Sequence, residues 1–371
     1  MDWYRLTNPD TLDTPALIVF PERVKTNIRA AIAMTGGAGR LRPHVKTHKS
    51  PECTRLQLAE GITRFKCATI AEAEMLGQEG APDVLFAYQP IGPKAERLTR
   101  LIKKFRRTSF SCLIDNPGAA VAMGSIFATA GLTVPVYLDL NVGMDRTGIA
   151  PGQEALELYL LATRTEGITP VGLHAYDGHI RDTDIAERTR KCDEGFARID
   201  ALRNTIAAVT AAAPDLTIVV GGSPTFPVHA KRAADIQCSP GTFVYWDKGY
   251  GDAFPDQPFQ PAALVVSRVI SKRSDTRLCL DLGHKSIAPE NELARRVFFL
   301  NGPELRPVGQ SEEHLVVETG AVTDHKVGDI FYGIPFHVCP TIALYDRAYT
   351  VEAGLISGSW QNIARNRALT I

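Results

Sequence analysis

Short runs rich in β-branched and aromatic residues alternate along this chain with longer stretches whose apolar residues recur every three or four positions. The first helical stretch is predicted at 21–34: Pro21 suits a first turn, and Val24, Ile28, Ala31 and Ile32 share one face. Eight candidate strands follow, at 42–46, 64–70, 83–89, 109–115, 134–141, 169–176, 216–221 and 235–239. Most lead into a helical stretch. The clearest covers 183–212, with Ile185, Cys192, Phe196, Ile199, Leu202 and Ile206 at helical spacing. Strands alternating with helices pair in parallel through right-handed crossovers, and eight such units match a (β/α)8 barrel. A doubly wound open sheet is the alternative. After about Gly251 the period changes, and 263–270, 277–282, 296–300, 314–318, 329–332 and 349–351 read as strands separated by turns. The pattern therefore predicts an α/β chain: a TIM-like (β/α)8 barrel at 12–250 and a C-terminal β domain at 251–371, with residues 1–11 packing on the latter.

Composition narrows the function classes. The 371 residues are 44% apolar and 22% charged, ample for a large core without metal or disulfide staples. Lys+Arg and Asp+Glu are both 41, and no basic run stands out, which argues against nucleic acid and against an anionic membrane surface. No apolar stretch is long enough to span a bilayer, and the first residues lack a signal-peptide pattern. Seven scattered cysteines without CxxC pairs predict a reduced, cytoplasmic protein.

Barrel chemistry sits at the C-terminal strand ends. The first ends in RPHVKTHK (42–49), where alternation turns His44 and Lys46 to the same side, into the barrel mouth. A lysine there is a Schiff-base candidate, made nucleophilic by desolvation; a solvated basic loop explains the same residues. DLNVGMDRTG (139–148) brackets Arg146 with glycines, suited to an anionic oxygen or to an ordinary turn. GLHAYDGH (172–179) places four polar side chains within six residues, functional or a polar rim. GGSPT (221–225) and SPGT (239–242) end consecutive strands where barrels often bind phosphate. In the β domain, His337 and Cys339 stand two apart on a segment read as extended, so both project to one side. Imidazole plus thiolate suits zinc with open positions, although a small buried cysteine beside a polar histidine accounts for the pair too. The polar SEEH cluster (311–314) is a further candidate neighbour.

As a set and in this order, these motifs resemble the fold-type III pyridoxal phosphate enzymes of the alanine racemase fold. Within them the chain is most similar to the D-threonine aldolase / D-serine dehydratase family, from LDTPAL (12–17) almost to the end. The resemblance implies that Lys46 binds the cofactor covalently, Arg146 faces its phenolate oxygen and Tyr176 lies by its ring nitrogen. It implies that Ser223, Thr225, Gly241 and Thr242 lie in the loops that hold the phosphate. His337 and Cys339 would bind a divalent metal (Zn, Mn or Mg), and His179 would assist at the substrate's β-hydroxyl. The implied activity is a lyase on β-hydroxy-D-amino acids, D-threonine aldolase first and D-serine or 3-hydroxy-D-aspartate dehydratase second, in a homodimer. An amino-acid racemase or a non-catalytic cofactor carrier fits less well, because neither has a use for the HxC pair.

Overall fold

The computed structural model describes residues 2–210 and 216–371. Its strands in chain order are β1 (Ala16–Val19), β2 (Arg64–Cys67), β3 (Asp83–Phe86), β4 (Ser109–Ile114), β5 (Val134–Leu140), β6 (Ile168–Ala175), β7 (Thr217–Val220), β8 (Ile236–Cys238), β9 (Ala263–Ser274), β10 (Arg277–Leu280), β11 (Val297–Phe299), β12 (Arg306–Gln310), β13 (Leu315–Glu318), β14 (Ile330–Pro335), β15 (Arg347–Glu352) and β16 (Leu355–Gln361). The chain divides into two compact units: Met1–Ala30 with Thr47–Cys53 and Thr242–Arg365, and Ala31–Lys46 with Thr54–Gly241 and Asn366–Ile371.

In the second unit, β2 to β8 pair in parallel in sequence order, with helices between them. The segment expected as the first strand, 42–46, is not a regular strand. Pro43 has no N–H for a ladder. Instead, Leu41 bridges Cys238 of β8 and His44 bridges Lys66 of β2, which joins the last strand to the first and closes the barrel. The helices start where local chemistry dictates. Thr69 and Asn116 cap the helices Ile70–Gln78 and Pro117–Thr129 by accepting from Glu72 and Ala119 N–H, and Pro117 adds its preset φ. The long helix spans Ile185–Val209 behind the Asp184 cap; Ala211 and Ala212 of the expected 183–212 helix lie outside the described residues. The barrel interior is layered. Arg42 is buried at the strand N-terminal end, with two 2.7 Å bonds to Asp83 and one to Gln237. Leu85, Leu113, Tyr137 and Val219 fill the middle.

The first unit is a largely antiparallel sheet of order β12-β13-β10-β9-β1-β15-β16, with β14 on β9 and β11 on β14. Its core gathers Tyr4, Leu6, Leu12, Ile18, Leu264, Val266, Tyr332 and Val351, so N-terminal residues pack within this sheet. β1, inside the 12–250 range, pairs with β9 and β15. Its four residues are buried throughout, and a short, uniformly apolar run carries no alternation to say which sheet it joins. Among the described residues no helix is long and apolar enough to cross a membrane.

Candidate active site

At the C-terminal end of the barrel strands a cavity of about 500 Å³ opens, and its lining includes His44, Lys46, Lys66, Arg146, His174 and Tyr176. Lys46 sits in the turn that follows the closing segment, with its side chain exposed toward the cavity; its N–H donates to His44 Nδ1 at 3.2 Å. Tyr176 follows β6 and is the centre of the site. Lys46 Nζ lies 5.9 Å, and the Arg146 guanidinium 4.9 Å, from its ring centre. The ring is clamped by backbone: a Cβ on Gly222 would meet it at 2.8 Å, and one on Gly178 would meet the phenol oxygen at 2.2 Å. Those positions have to be glycine for the ring to lie there.

The loop that carries Arg146 is shaped by Asn141, whose Oδ1 accepts from the N–H groups of Gly143 and Asp145 at 3.0 and 3.1 Å. Arg146 itself is exposed. His179 is exposed too. It lies against Gly143, where a Cβ would meet His179 Nε2 at 2.8 Å, and is not among the side chains that line the cavity.

The two small-residue loops come together. Gly241 N–H donates to Ser223 Oγ at 3.2 Å, which ties the β8 loop to the β7 loop. The Thr225 hydroxyl donates to Asp177 at 2.7 Å and accepts from Gly222 N–H at 3.2 Å, so this side chain locks the loop from behind. Thr242 differs: its hydroxyl lies 3.6 Å from Cys339 Sγ.

His337 and Cys339 do not lie on an extended segment. His337 is the extended N-cap residue of a short helix, Val338–Ile342, and Cys339 is in its first turn. Asp247 holds that turn, accepting from Val338 N–H at 3.0 Å, and burial lifts its carboxyl pKa to about 6. The two side chains nonetheless meet. Against burial, which lowers it, Cys339, Asp247 and Glu290 hold the His337 pKa up at about 9. Glu290 Oε1 lies 2.5 Å from His337 Nδ1, which leaves Nε2 for an ion. Thr47, the residue after Lys46 in the chain, places its hydroxyl 3.1 Å from Cys339 Sγ. An imidazole oriented by a carboxylate, next to a sulfur that hydroxyl groups approach, has the donor chemistry that a divalent ion such as zinc would need. The SEEH carboxylates pair instead with Lys285, at 3.0 and 3.4 Å.

Among the described residues, Asp177, Cys192 and His229 form the one trio with ligand atoms within 4.8 Å of one another. Hydrogen bonding explains it better than a metal does. Arg232 donates to His229 Nδ1 at 3.0 Å, so Nε2 carries the proton and donates to Asp177 at 2.7 Å. Burial pushes the Cys192 thiol well above its ordinary pKa, away from the thiolate a metal needs.

Reading strand ends leaves out Lys66, because it lies inside β2 rather than past its end. A lysine in a four-residue strand between Phe65 and Cys67 is the signal that could have found it.

A protein-family profile described as alanine racemase, N-terminal domain, matches residues 20–248, and one described as a putative serine dehydratase domain matches residues 262–351. The chain is 29% identical over 362 residues to a D-threonine aldolase of Arthrobacter sp, spanning 95% of this chain and 93% of that protein. It is 25% identical over 383 residues to the D-threo-3-hydroxyaspartate dehydratase of Delftia sp. (strain HT23), spanning 95% and 98%. The crystal structure of D-threonine aldolase from Filomicrobium marinum superposes with a TM-score of 0.85 at 25% identity, over 96% of each chain. Solved structures of a D-threo-3-hydroxyaspartate dehydratase include one variant with a histidine replaced by alanine. Another has a cysteine two positions later replaced, in a metal-free form.

Proposed function

We propose, from the premise that the chain belongs to the alanine racemase N-terminal domain family, that it is a pyridoxal 5'-phosphate- and divalent-metal-dependent lyase of β-hydroxy-D-amino acids. Its first substrate is D-threonine, split to glycine and acetaldehyde. The observation that carries this reading is the cavity at the barrel mouth, where a lysine amine and a guanidinium approach one clamped tyrosine ring. The residues fit the cofactor. Lys46 offers the amine for its carbonyl carbon, Arg146 the cation for its phenolate oxygen, and Tyr176 the partner for its ring nitrogen. Ser223 and Gly241, already joined at 3.2 Å, bring hydroxyl and N–H groups toward a phosphate. Thr225 supports that loop through its bonds to Asp177 and Gly222, and Thr242 follows Gly241 in the second loop.

When bound, the cofactor supplies an electron sink for charge at Cα and the metal a Lewis acid at the β-oxygen. His337 and Cys339 hold the ion, with Glu290 fixing the imidazole. The family resemblance gives the β-hydroxyl proton in the aldolase reaction to His179, whose side chain lies against Gly143 and outside the cavity lining in this structure. The dehydratase reading, in which Lys46 removes the Cα proton, has one observation in its favour. The D-threo-3-hydroxyaspartate dehydratase of Delftia sp. (strain HT23) is 25% identical to this chain along 95% of its length.

A product assay separates these outcomes. The metal-replete protein is expected to release glycine and acetaldehyde from D-threonine, with activity lost in EDTA and restored by Zn, Mn or Mg. Keto acid and ammonia from D-serine or D-threo-3-hydroxyaspartate would make it the dehydratase, and no product from any of the three would reject the lyase. Cys339→Ala is expected to lose metal-dependent turnover and keep the bound cofactor's absorbance; loss of both would make Cys339 structural. The same reading makes the protein a cytoplasmic homodimer, and full activity of a monomer at high dilution would contradict the dimer.

A further inference from the structure

One titratable cluster on the barrel's inner surface has no part in the reading above. Lys66 is 3% exposed and still lines the cavity. Its Nζ lies 3.4 Å from His174 Nε2, and His174 Nδ1 lies 2.7 Å from Asp139 Oδ1. An ionised carboxylate only accepts, so the imidazole carries its proton on Nδ1 and its Nε2 lone pair accepts from the amine. Lys66 Nζ stands 5.9 Å from the Tyr176 ring centre, as Lys46 Nζ does. Two primary amines therefore face one ring in one cavity. Packing does not require this, since the layer beneath is Leu85, Leu113, Tyr137 and Val219. Burying an amine is unfavourable, and here an imidazole, not the carboxylate itself, is its nearest partner.

We propose that Lys66 is a second acid–base amine of the cavity, which as the free base takes a proton from the ammonium of the arriving amino acid while His174 and Asp139 hold Nζ in place. The proposal rests on the amino-acid lyase reading. In this step an N–H bond of the substrate ammonium breaks and one forms at Lys66 Nζ. The substrate nitrogen keeps the electron pair it needs as a nucleophile. Lys66 becomes an ammonium that donates to His174, and the proton returns to the departing product amine, so no co-reactant is consumed. The surroundings suit the role. Burial, Lys46 and Arg42 lower the pKa of Lys66, Asp139 and Asp177 raise it, and the balance lies at about 7. His174, lowered by burial and by Lys66, stays neutral and able to accept.

The first test reads the amine directly. In cofactor-loaded protein carrying lysine labelled with 13C at Cε, the resonance that vanishes in Lys66→Met is expected to titrate with a midpoint near neutrality. A midpoint near the ordinary ~10.4 would overturn the proposal whatever the activity. The second test is kinetic. With D-threonine, wild-type kcat/KM is expected to fall as pH drops below neutrality. Lys66→Ala is expected to keep the cofactor's absorbance, lose about 100-fold in kcat/KM, lose that acid limb and recover activity in methylamine. A lysine with a merely structural part would not respond to methylamine, so unchanged kcat/KM or failed rescue also overturns the proposal. Neutral titration with no turnover of any β-hydroxy-D-amino acid would support the amine and reject the substrate class.

Discussion

Two aspartate–histidine pairs in the barrel unit are closed at the same 2.7 Å, yet they lead to different chemistry. One is Asp139–His174, the other Asp177–His229. What separates them is the group at the imidazole's other nitrogen. His229 Nδ1 accepts from the guanidinium of Arg232, a group with donors only. Asp177 accepts the Thr225 hydroxyl as well, and Cys192 Sγ lies 3.9 Å from its other oxygen. Each of these positions is filled by a hydrogen-bond partner away from the cavity lining, so the pair is a lock behind the β7 loop. His174 instead faces an amine that changes charge near neutrality, on the wall of a cavity. The same pair becomes a device for holding a proton-transfer group. The largest expected effect follows from breaking the lock. His229→Ala leaves a buried carboxylate with only hydroxyl and thiol partners, and urea unfolding is expected to show a loss of about 3–5 kcal/mol. A loss below ~1 kcal/mol would mean that Asp177 is held by Thr225 alone.

The other pair predicts the opposite sign. The Lys66 pKa is about 7 in the fold and ~10.4 in the unfolded chain, so between those values the unfolded state binds more protons. Stability is therefore expected to rise with pH across that window by about 1.4 kcal/mol per unit, the burden of the buried amine being fully present below pH 7. Lys66→Met removes that burden but leaves His174 Nε2 without its donor, a loss of about 1–3 kcal/mol. The net expectation is a variant more stable than wild type by roughly 2–3 kcal/mol at pH 7, with the rise toward pH 10 abolished. A destabilised Lys66→Met with an unchanged pH slope would place Lys66 with the locks.

The contrast also marks what the sequence can disclose. The alternation of strand and helix located β2 to β8 within a few residues, because each has an apolar run and a helix cap or proline after it. Lys46, Arg146 and Tyr176 are legible as residues of the cavity lining, because turns and strand ends are where polar residues become conspicuous. The closing segment was legible in position but not in form, since Pro43 turns a ladder into isolated bridges. β1 was hidden because four apolar residues carry no period, and its partners lie more than 240 residues away. Lys66, His174 and Asp139 come from three different strands. Asp139 stands opposite His174 on the neighbouring strand, but Lys66 of β2, opposite Leu85, meets His174 of β6 only across the curled barrel.

Removing His174 tests the relay at intermediate size. In His174→Ala the Asp139 carboxylate and the Lys66 amine lose the ring between them and are left to attract each other directly. An opposite charge favours the ammonium, so the Lys66 midpoint is expected to move up and the acid limb of kcat/KM to follow it to higher pH. Because each charge keeps a partner, the stability loss is expected at about 1–2 kcal/mol, well short of His229→Ala. An equal loss in the two variants, with the midpoint unmoved, would erase the distinction between lock and relay.

The smallest effect is expected at the rim of the lock. Arg232 also pairs with Asp193 at 2.6 Å, but the Asp193 side chain is 57% exposed. An exposed pair loses most of its attraction to solvent, and Arg232 keeps two other supports: His229 Nδ1 at 3.0 Å and the Phe196 ring, 4.0 Å from its guanidinium carbon. Asp193→Ala should therefore cost at most ~1 kcal/mol, less at high salt, with kcat/KM and the Lys66 midpoint unchanged. If the loss instead approached that of His229→Ala, Asp193, Arg232, His229 and Asp177 would be one cooperative unit. The lock would then extend to the surface, where salt and pH could reach the loop that carries Ser223.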